Sequence, residues 1–296
     1  MFNYISHIPW QLAVVATGIL SAIAQSIGKR QVTYMSAFQS GLLRDLVIFV
    51  VIAAVFIAQG IFSWSPLNLL FVVVGFLESI MMAAYYSASR DEMTATTVFS
   101  YPFSGVLIII SAGFLFGEWQ YFNPATLQGL VNIATTVLTL FLIVSYQSGR
   151  AKLSSWNIKL ILSSLMVVVS NLVTKWAVTT IGVKPASFMI YEYAGLILGG
   201  FIFVYGRRLS LRLRRDDYLW GVVQGILFAI SALWYTELLR AYPLSLSSIV
   251  RRIAIVLGTT FAGLIIFGER KTMNKQKSLQ TIIGIAILLV TLLVNR

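Results

Sequence analysis

Cysteine is absent and histidine occurs once, at His7. The first absence excludes disulfides, thiolate metal sites and thiol chemistry. A lone histidine ahead of the first apolar run cannot build a metal centre, so no cofactor or metal is expected. Charge is scarce as well: only 11% of the 296 residues are Asp, Glu, Lys or Arg, against about 25% in a soluble domain. So few charges cannot cover a soluble surface when 58% of the residues are hydrophobic. A mean hydropathy of +0.85 points the same way. The composition excludes a soluble enzyme, a disordered chain and a disulfide scaffold, and places the chain in a lipid bilayer.

Apolar sequence is what the chain has in abundance. Ten runs are long enough to cross a bilayer: 9–28, 37–62, 67–88, 95–117, 124–146, 158–181, 186–205, 217–239, 245–267 and 278–295. Their connections are short and carry turn residues such as Ser65-Pro66, Asn123-Pro124, Lys184-Pro185 and Tyr242-Pro243. The runs are continuous rather than alternating, which excludes an outer-membrane barrel. Met1 to Pro9 has no Lys or Arg and no cleavage pattern follows, so the first run is read as a retained span rather than a secretory signal.

The runs repeat. Phe116-Gly117-Glu118 closes the fourth and Phe267-Gly268-Glu269 the ninth, an offset of 151 residues (269 minus 118). Gln25 and Lys29 in the first span recur as Asn171 and Lys175 in the sixth, and Gly75 in the third as Gly225 in the eighth. The expected fold is an all-α membrane protein of ten transmembrane helices, arranged as two five-helix repeats, 1–150 and 151–296. Five is odd, so the second repeat starts on the opposite side of the membrane. Inverted repeats of this kind characterise secondary transporters, with the substrate site between the halves.

Lys and Arg number 22 against 10 acids, a net charge of +12. In a bilayer protein this excess anchors cytoplasmic loops against anionic lipid and needs no nucleic-acid partner. Fifteen basic residues flank the side reached after the first span, including Lys29, Arg30, Arg207 and Arg270. Three flank the other: Lys184, Arg240 and Arg296. The count makes the first side cytoplasmic and leaves both termini outside. Short loops without appended domains point to a prokaryotic plasma membrane.

Eight ionisable residues fall inside the spans: Arg44, Lys175, Arg251 and Arg252, and Asp45, Glu78, Glu192 and Glu237. Each costs about 2.5–3.5 kcal/mol at a helix centre, so each must face a cavity or a partner. Arg251 and Arg252 point about 100° apart on one helix and can border one cavity. Guanidinium forks suit carboxylate and phosphate, and these two compete between an anion-binding role and pairing with Glu237 or Glu192. Lys175 is either a third cation over the substrate or a snorkelling residue. Glu78 shares a face with Met82 and Tyr85, and either pairs with a cation or carries the exchangeable proton of a coupled carrier. Gln224, Ser231 and Tyr235 form one stripe on the eighth span beside Trp234, suited to a small organic ligand. Glu118 and Glu269 oppose the macrodipole at their helix ends and want structural partners.

These features resemble the drug/metabolite transporter superfamily, in particular its EamA-type ten-helix carriers. The resemblance rests on the five-plus-five repeat, Gly117-Glu118 and Gly268-Glu269-Arg270, Lys29 at the end of the first span, Arg44 in the second and Tyr101-Pro102 in the fourth. It implies a central cavity lined by the first, third, fourth, sixth, eighth and ninth spans, with the fifth and tenth peripheral. It also implies cytoplasmic termini, opposite to the charge count. Where the fourth span has Tyr101-Pro102, the ninth has Arg251-Arg252, similar to the adjacent Lys-Arg pair of the plastid triose-phosphate transporter branch.

The substrate-binding candidates are therefore Arg251, Arg252, Lys175, Tyr85, Tyr235, Tyr101 and Arg44. Glu78, Glu192 and Glu237 are candidates for coupling or ion pairing. The expected function is alternating-access transport of a small polar, anionic metabolite, with a proton or counter-substrate to reset the carrier; a homodimer is compatible with it. The alternative is a proton-coupled exporter of neutral amino acids or amphipathic compounds. No catalytic constellation is present for a membrane enzyme, and an inverted repeat argues against a channel.

Overall fold

A computed structural model describes residues 8–60, 65–89, 93–147, 155–210 and 215–267, together with single helical positions at 286, 290 and 294. The expected tenth span, His7, Glu269 and much of the basic loop sequence lie outside the described residues. Within them the chain is all helical: α1 Trp10–Val32, α2 Ala37–Ala58, α3 Leu67–Ser89, α4 Met93–Phe116, α5 Leu127–Gln147, α6 Ser155–Thr179, α7 Pro185–Gly206, α8 Arg215–Ala241 and α9 Leu244–Ile265. A five-residue 3-10 turn, Glu118–Phe122, links α4 to α5.

Seven of these helices (α1, α2, α3, α6, α7, α8 and α9) are long and apolar enough to cross a membrane. The chain is an integral, multi-pass membrane protein. Its polarity is turned outside in. On α1, Thr17, Ser21 and Gln25 follow one another at a spacing of four and are 0%, 0% and 3% exposed, whereas Leu12, Ile19 and Ile23 on the other face are 53%, 47% and 48% exposed. Water would reject that arrangement, but hydrocarbon favours it because only the buried stripe can find hydrogen-bond partners.

Local chemistry sets the helix ends. Ser36 caps α2 with a reciprocal box: its Oγ accepts from the Gln39 N–H (3.2 Å), and Gln39 Oε1 accepts from the Ser36 N–H (2.9 Å). Pro185 occupies the first turn of α7, where its missing N–H costs nothing. Gly117 closes α4 at φ 68°, a left-handed conformation that favours glycine. The first helix runs past Lys29 to Val32, so Lys29 and Arg30 sit in its last turn, where cations suit the macrodipole.

The packing is between distant segments. α2 and α7 lie antiparallel, with Phe38 stacked on Phe203 and Leu42 against Gly200. α4 and α9 are also antiparallel: Tyr101 meets Arg252, and Glu118 meets the start of α9. α3 and α7 are parallel and touch backbone to backbone. A Cβ on Gly75 would collide with the Glu192 carbonyl, and one on Gly195 with the Val72 carbonyl. α1 fits between α8 and α9, with Gly18 beneath Ala254 and Ser21 bonded to Ser231 (2.8 Å).

Candidate functional site

A cavity of about 160 Å³ lies inside the bundle. One wall is α9 with α1, α4 and α8, and the other is α3, α6 and α7, with Arg44 reaching in from α2. α1, α3, α4, α6, α8 and α9 all contribute, as the resemblance implies; α2 and α7 contribute as well, and α5 does not. The helices that form the cavity carry Ser, Thr, Tyr and Gln side chains inward.

Arg251 and Arg252 both border the cavity. Arg251 Nη2 donates to Ser21 Oγ (3.0 Å) and to Ser231 Oγ (3.1 Å). Its guanidinium lies 4.1 Å from the centre of the Tyr235 ring, and its buried Nε has no hydrogen-bond partner. Arg252 Nε donates to Ser248 Oγ one turn back (2.8 Å), while Nη1 reaches Ser104 Oγ (2.5 Å) and the Tyr101 carbonyl (3.4 Å). Neutral oxygens and aromatic faces hold both groups. Among the described residues no carboxylate comes within 4.0 Å of either guanidinium. Arginine keeps its proton in proteins, so two like charges stand side by side in a low-dielectric site without a counter-charge. That arrangement is costly unless an anion shares it.

The opposite wall carries acid. Arg44 is matched locally: Asp45 Oδ1 accepts from its Nε (2.7 Å) and Nη2 (2.5 Å), and Nη1 donates to the Tyr86 hydroxyl (3.1 Å). Phe228 covers the guanidinium at 5.2 Å. Glu78 on α3 and Glu192 on α7 both line the cavity. The Ser170 hydroxyl of α6 donates to Glu192 Oε1 (3.1 Å).

The remaining candidates fall as follows. Tyr101 and Tyr235 line the cavity. Tyr85 is buried behind it and donates to Gln25 Oε1 (3.0 Å), while Gln25 Nε2 bonds the Tyr101 hydroxyl. Lys175 lies outside the lining, its Nζ donating to the carbonyls of Leu239 (2.6 Å) and Tyr242 (2.8 Å) at the end of α8. Glu237 also lies outside it and pairs with Arg240 one turn on, at 3.3 Å. Of the eighth-span stripe, Ser231 holds Arg251, whereas Gln224 donates to the Tyr86 hydroxyl (3.0 Å) away from the cavity. Glu118 has a structural partner: its two oxygens accept the Leu244 and Ser245 amides at 2.8 and 2.7 Å. Ser170, Ser104 and Ser248 were not legible as site residues, because a helix serine carries no signal of which partner another helix will bring to it.

No protein-family model matches the chain, and no curated protein matches it. Solved structures do. A chain from a crystal structure described only as that of a protein superposes with a TM-score of 0.69 at 14% identity, over 96% of this chain and 97% of that one. The likeness is one of fold.

Proposed function

We propose that the chain is a secondary transporter that carries a small polar anion across the membrane by alternating access, as a carrier of the drug/metabolite transporter type. The observation that carries this reading is the Arg251–Arg252 pair, half-buried and buried respectively, which faces a cavity without a carboxylate partner among the described residues. A bound carboxylate or phosphate supplies the missing charge and the acceptor that Arg251 Nε lacks. The ring of Tyr235 and the hydroxyls of Ser21, Ser231, Ser104 and Ser248 hold the forks in place before the anion arrives, so little ordering remains to be done on binding. A carrier of neutral compounds has no use for unmatched guanidinium groups, and pairing them internally would remove their cost.

Transport further requires two arrangements of similar energy, which an inverted repeat provides. The packing supports such a repeat in residues 1–150 and 151–296, with the tenth span completing the second. Equivalent helices α2 and α7 are antiparallel, and so are α4 and α9. Gly75 of α3 packs on the Glu192 carbonyl of α7, and Gly225 of α8 packs on the Val47 side chain and the Arg44 carbonyl of α2, so the exchanged pair of helices also meets at a glycine. Tyr101 of α4 and Arg252 of α9, its equivalent helix, touch each other. Exchange of the two halves then turns one packing into its two-fold-related partner and opens the cavity to the other side. The positive-inside count favours a cytoplasmic loop after α1.

Reconstituted protein is tested for exchange of labelled sugar phosphates, organic acids and neutral amino acids. Uptake of one anion class is expected, reduced at least tenfold in Arg251→Gln and in Arg252→Gln at unchanged thermal stability. Uptake confined to neutral amino acids, or anion uptake unchanged in both variants, contradicts the proposal.

A further inference from the structure

We infer that Tyr85, Gln25 and Tyr101 form a gate that shuts the cavity from the face of the 33–36 loop, and that Tyr101 ties this gate to Arg252. Helix register places them at that end. α1 and α3 finish there, where Val32 packs with Tyr85 and Tyr86. α8 begins there, where the Gln31 side chain donates to the Asp217 carbonyl (3.0 Å). The cavity lining on α1 reaches as far as Gln25, on α3 as far as Met82, and on α8 as far as Phe228. One turn further toward the loop come Tyr85 and Tyr86 on α3 and Gln224 on α8, all buried and none of them lining the cavity.

These side chains form one bonded layer across four helices. Tyr85 donates its hydroxyl hydrogen to Gln25 Oε1 (3.0 Å), and Gln25 Nε2 donates to the Tyr101 hydroxyl. The Tyr85 ring stands edge-on to Tyr101 and to Tyr86, with centroids 6.1 and 5.6 Å away. The Tyr86 hydroxyl accepts from Gln224 Nε2 (3.0 Å) and from Arg44 Nη1 (3.1 Å). α1 closes onto this layer at Gly28, where a Cβ would lie 2.6 Å from the Tyr86 ring and 2.5 Å from Gln224 Nε2.

The chemistry of the layer suits opening. A permanent plug costs least when it is apolar, because buried phenol and amide groups must all be hydrogen-bonded. A plug that is wetted at intervals has the opposite requirement. Leucines would then expose hydrocarbon, whereas Tyr and Gln exchange their mutual bonds for bonds to water at small net cost. The Tyr85–Gln25–Tyr101 bonds are of this exchangeable kind, side chain to side chain between α3, α1 and α4. By contrast, Glu118 holds main-chain amides of α9 and fixes a helix end.

Tyr101 belongs to the gate and to the anion site. Its hydroxyl takes the Gln25 amide, its carbonyl accepts from Arg252 Nη1 (3.4 Å), and the Arg252 guanidinium lies 5.7 Å from the centre of its ring. Tyr101 is therefore a positioning residue: a shift of Arg252 moves a member of the gate. That this link serves anion transport rests on the carrier reading above; the gate itself does not.

Thiol accessibility reads the gate without substrate. Val167 lines the cavity on α6, so Val167→Cys in this cysteine-free chain reports entry. Thr33→Cys, exposed in the 33–36 loop, identifies the face that the reagent reaches. Membrane-impermeant methanethiosulfonate is applied to sealed vesicles in buffer free of phosphate and organic acids. Tyr85→Phe, which keeps the ring, and Gln25→Leu should each speed modification of Val167→Cys from the 33–36 face by about three- to tenfold, the factor that one hydrogen bond supplies. The rate from the opposite face should not rise. Arg252→Gln should give the same one-sided increase. Unchanged rates in both gate variants, or equal increases from both faces, overturn the gate. An unchanged rate in Arg252→Gln overturns the link through Tyr101. A one-sided increase in a protein that exchanges no anion contradicts the carrier reading alone.

Discussion

Glu118 offers a test of the packing that needs no substrate. α9 begins after Pro243, which gives it no side-chain cap, so its first amides lack partners from their own helix. Glu118, 126 residues earlier in the chain, supplies both oxygens to the Leu244 and Ser245 N–H groups at 2.8 and 2.7 Å. The carboxylate is 5% exposed, which leaves water little access to replace it. Charge-assisted bonds contribute about 1.5–3 kcal/mol each, and an anion at a helix N-terminus adds about 0.3–1 kcal/mol. Removing both bonds in Glu118→Ala should therefore cost about 3–7 kcal/mol. Glu118→Gln keeps one acceptor and places an amide donor against the second N–H, for about half that loss. At roughly 2 °C per kcal/mol for a chain of this size, the midpoint of thermal unfolding in detergent should fall by about 6–14 °C for Ala and about 3–7 °C for Gln. A Glu118→Ala midpoint within about 2 °C of wild type refutes the idea that this carboxylate secures the start of α9.

Three other perturbations follow from the packing. Gly75→Ala drives a Cβ into the Glu192 carbonyl, whereas nothing lies within 4 Å of a Cβ at Gly41; Gly75→Ala should lower the unfolding midpoint by an overpacking cost of about 1–3 kcal/mol, and Gly41→Ala should raise it slightly. Asp45→Asn strands the Arg44 guanidinium, which is 3% exposed, at a cost of about 3–5 kcal/mol; the double variant with Arg44→Gln should recover part of that loss in the same thermal assay. Lys175→Met leaves the Leu239 and Tyr242 carbonyls without their donor, so stability should drop by about 1–3 kcal/mol while the KM for the anion stays unchanged.

Seven of the described helices were legible as spans because twenty consecutive apolar residues admit few other structures. Arg251 and Arg252 stood out because charge inside a membrane is rare and needs a reason. What surrounds them was not legible. Ser21 reaches Arg251 across 230 residues, and Ser104 reaches Arg252 across 148, and no local pattern specifies either meeting. Lys175 shows the same gap. Its position near a helix end fits either a snorkelling residue or a substrate cation, and only tertiary packing brings the carbonyls of α8 within its reach. Glu118 was legible halfway: an acid at the end of its own helix calls for a partner, and the partner is the N-terminus of another helix. That Glu78 and Glu192 line one cavity depends on the α3–α7 crossing, which Gly75 permits but does not announce.

Alternating exposure of the central cavity is tested most directly by thiol accessibility, since the chain contains no cysteine of its own. Val167 lines the cavity beside the acidic wall, and Val167→Cys is nearly isosteric. Membrane-impermeant thiol reagent is applied to sealed vesicles from one face or the other, with and without the transported anion. Modification is expected from both faces, with anion on one side slowing modification from that side and speeding it from the other. Modification from neither face, or rates that rise and fall together on both, would contradict it.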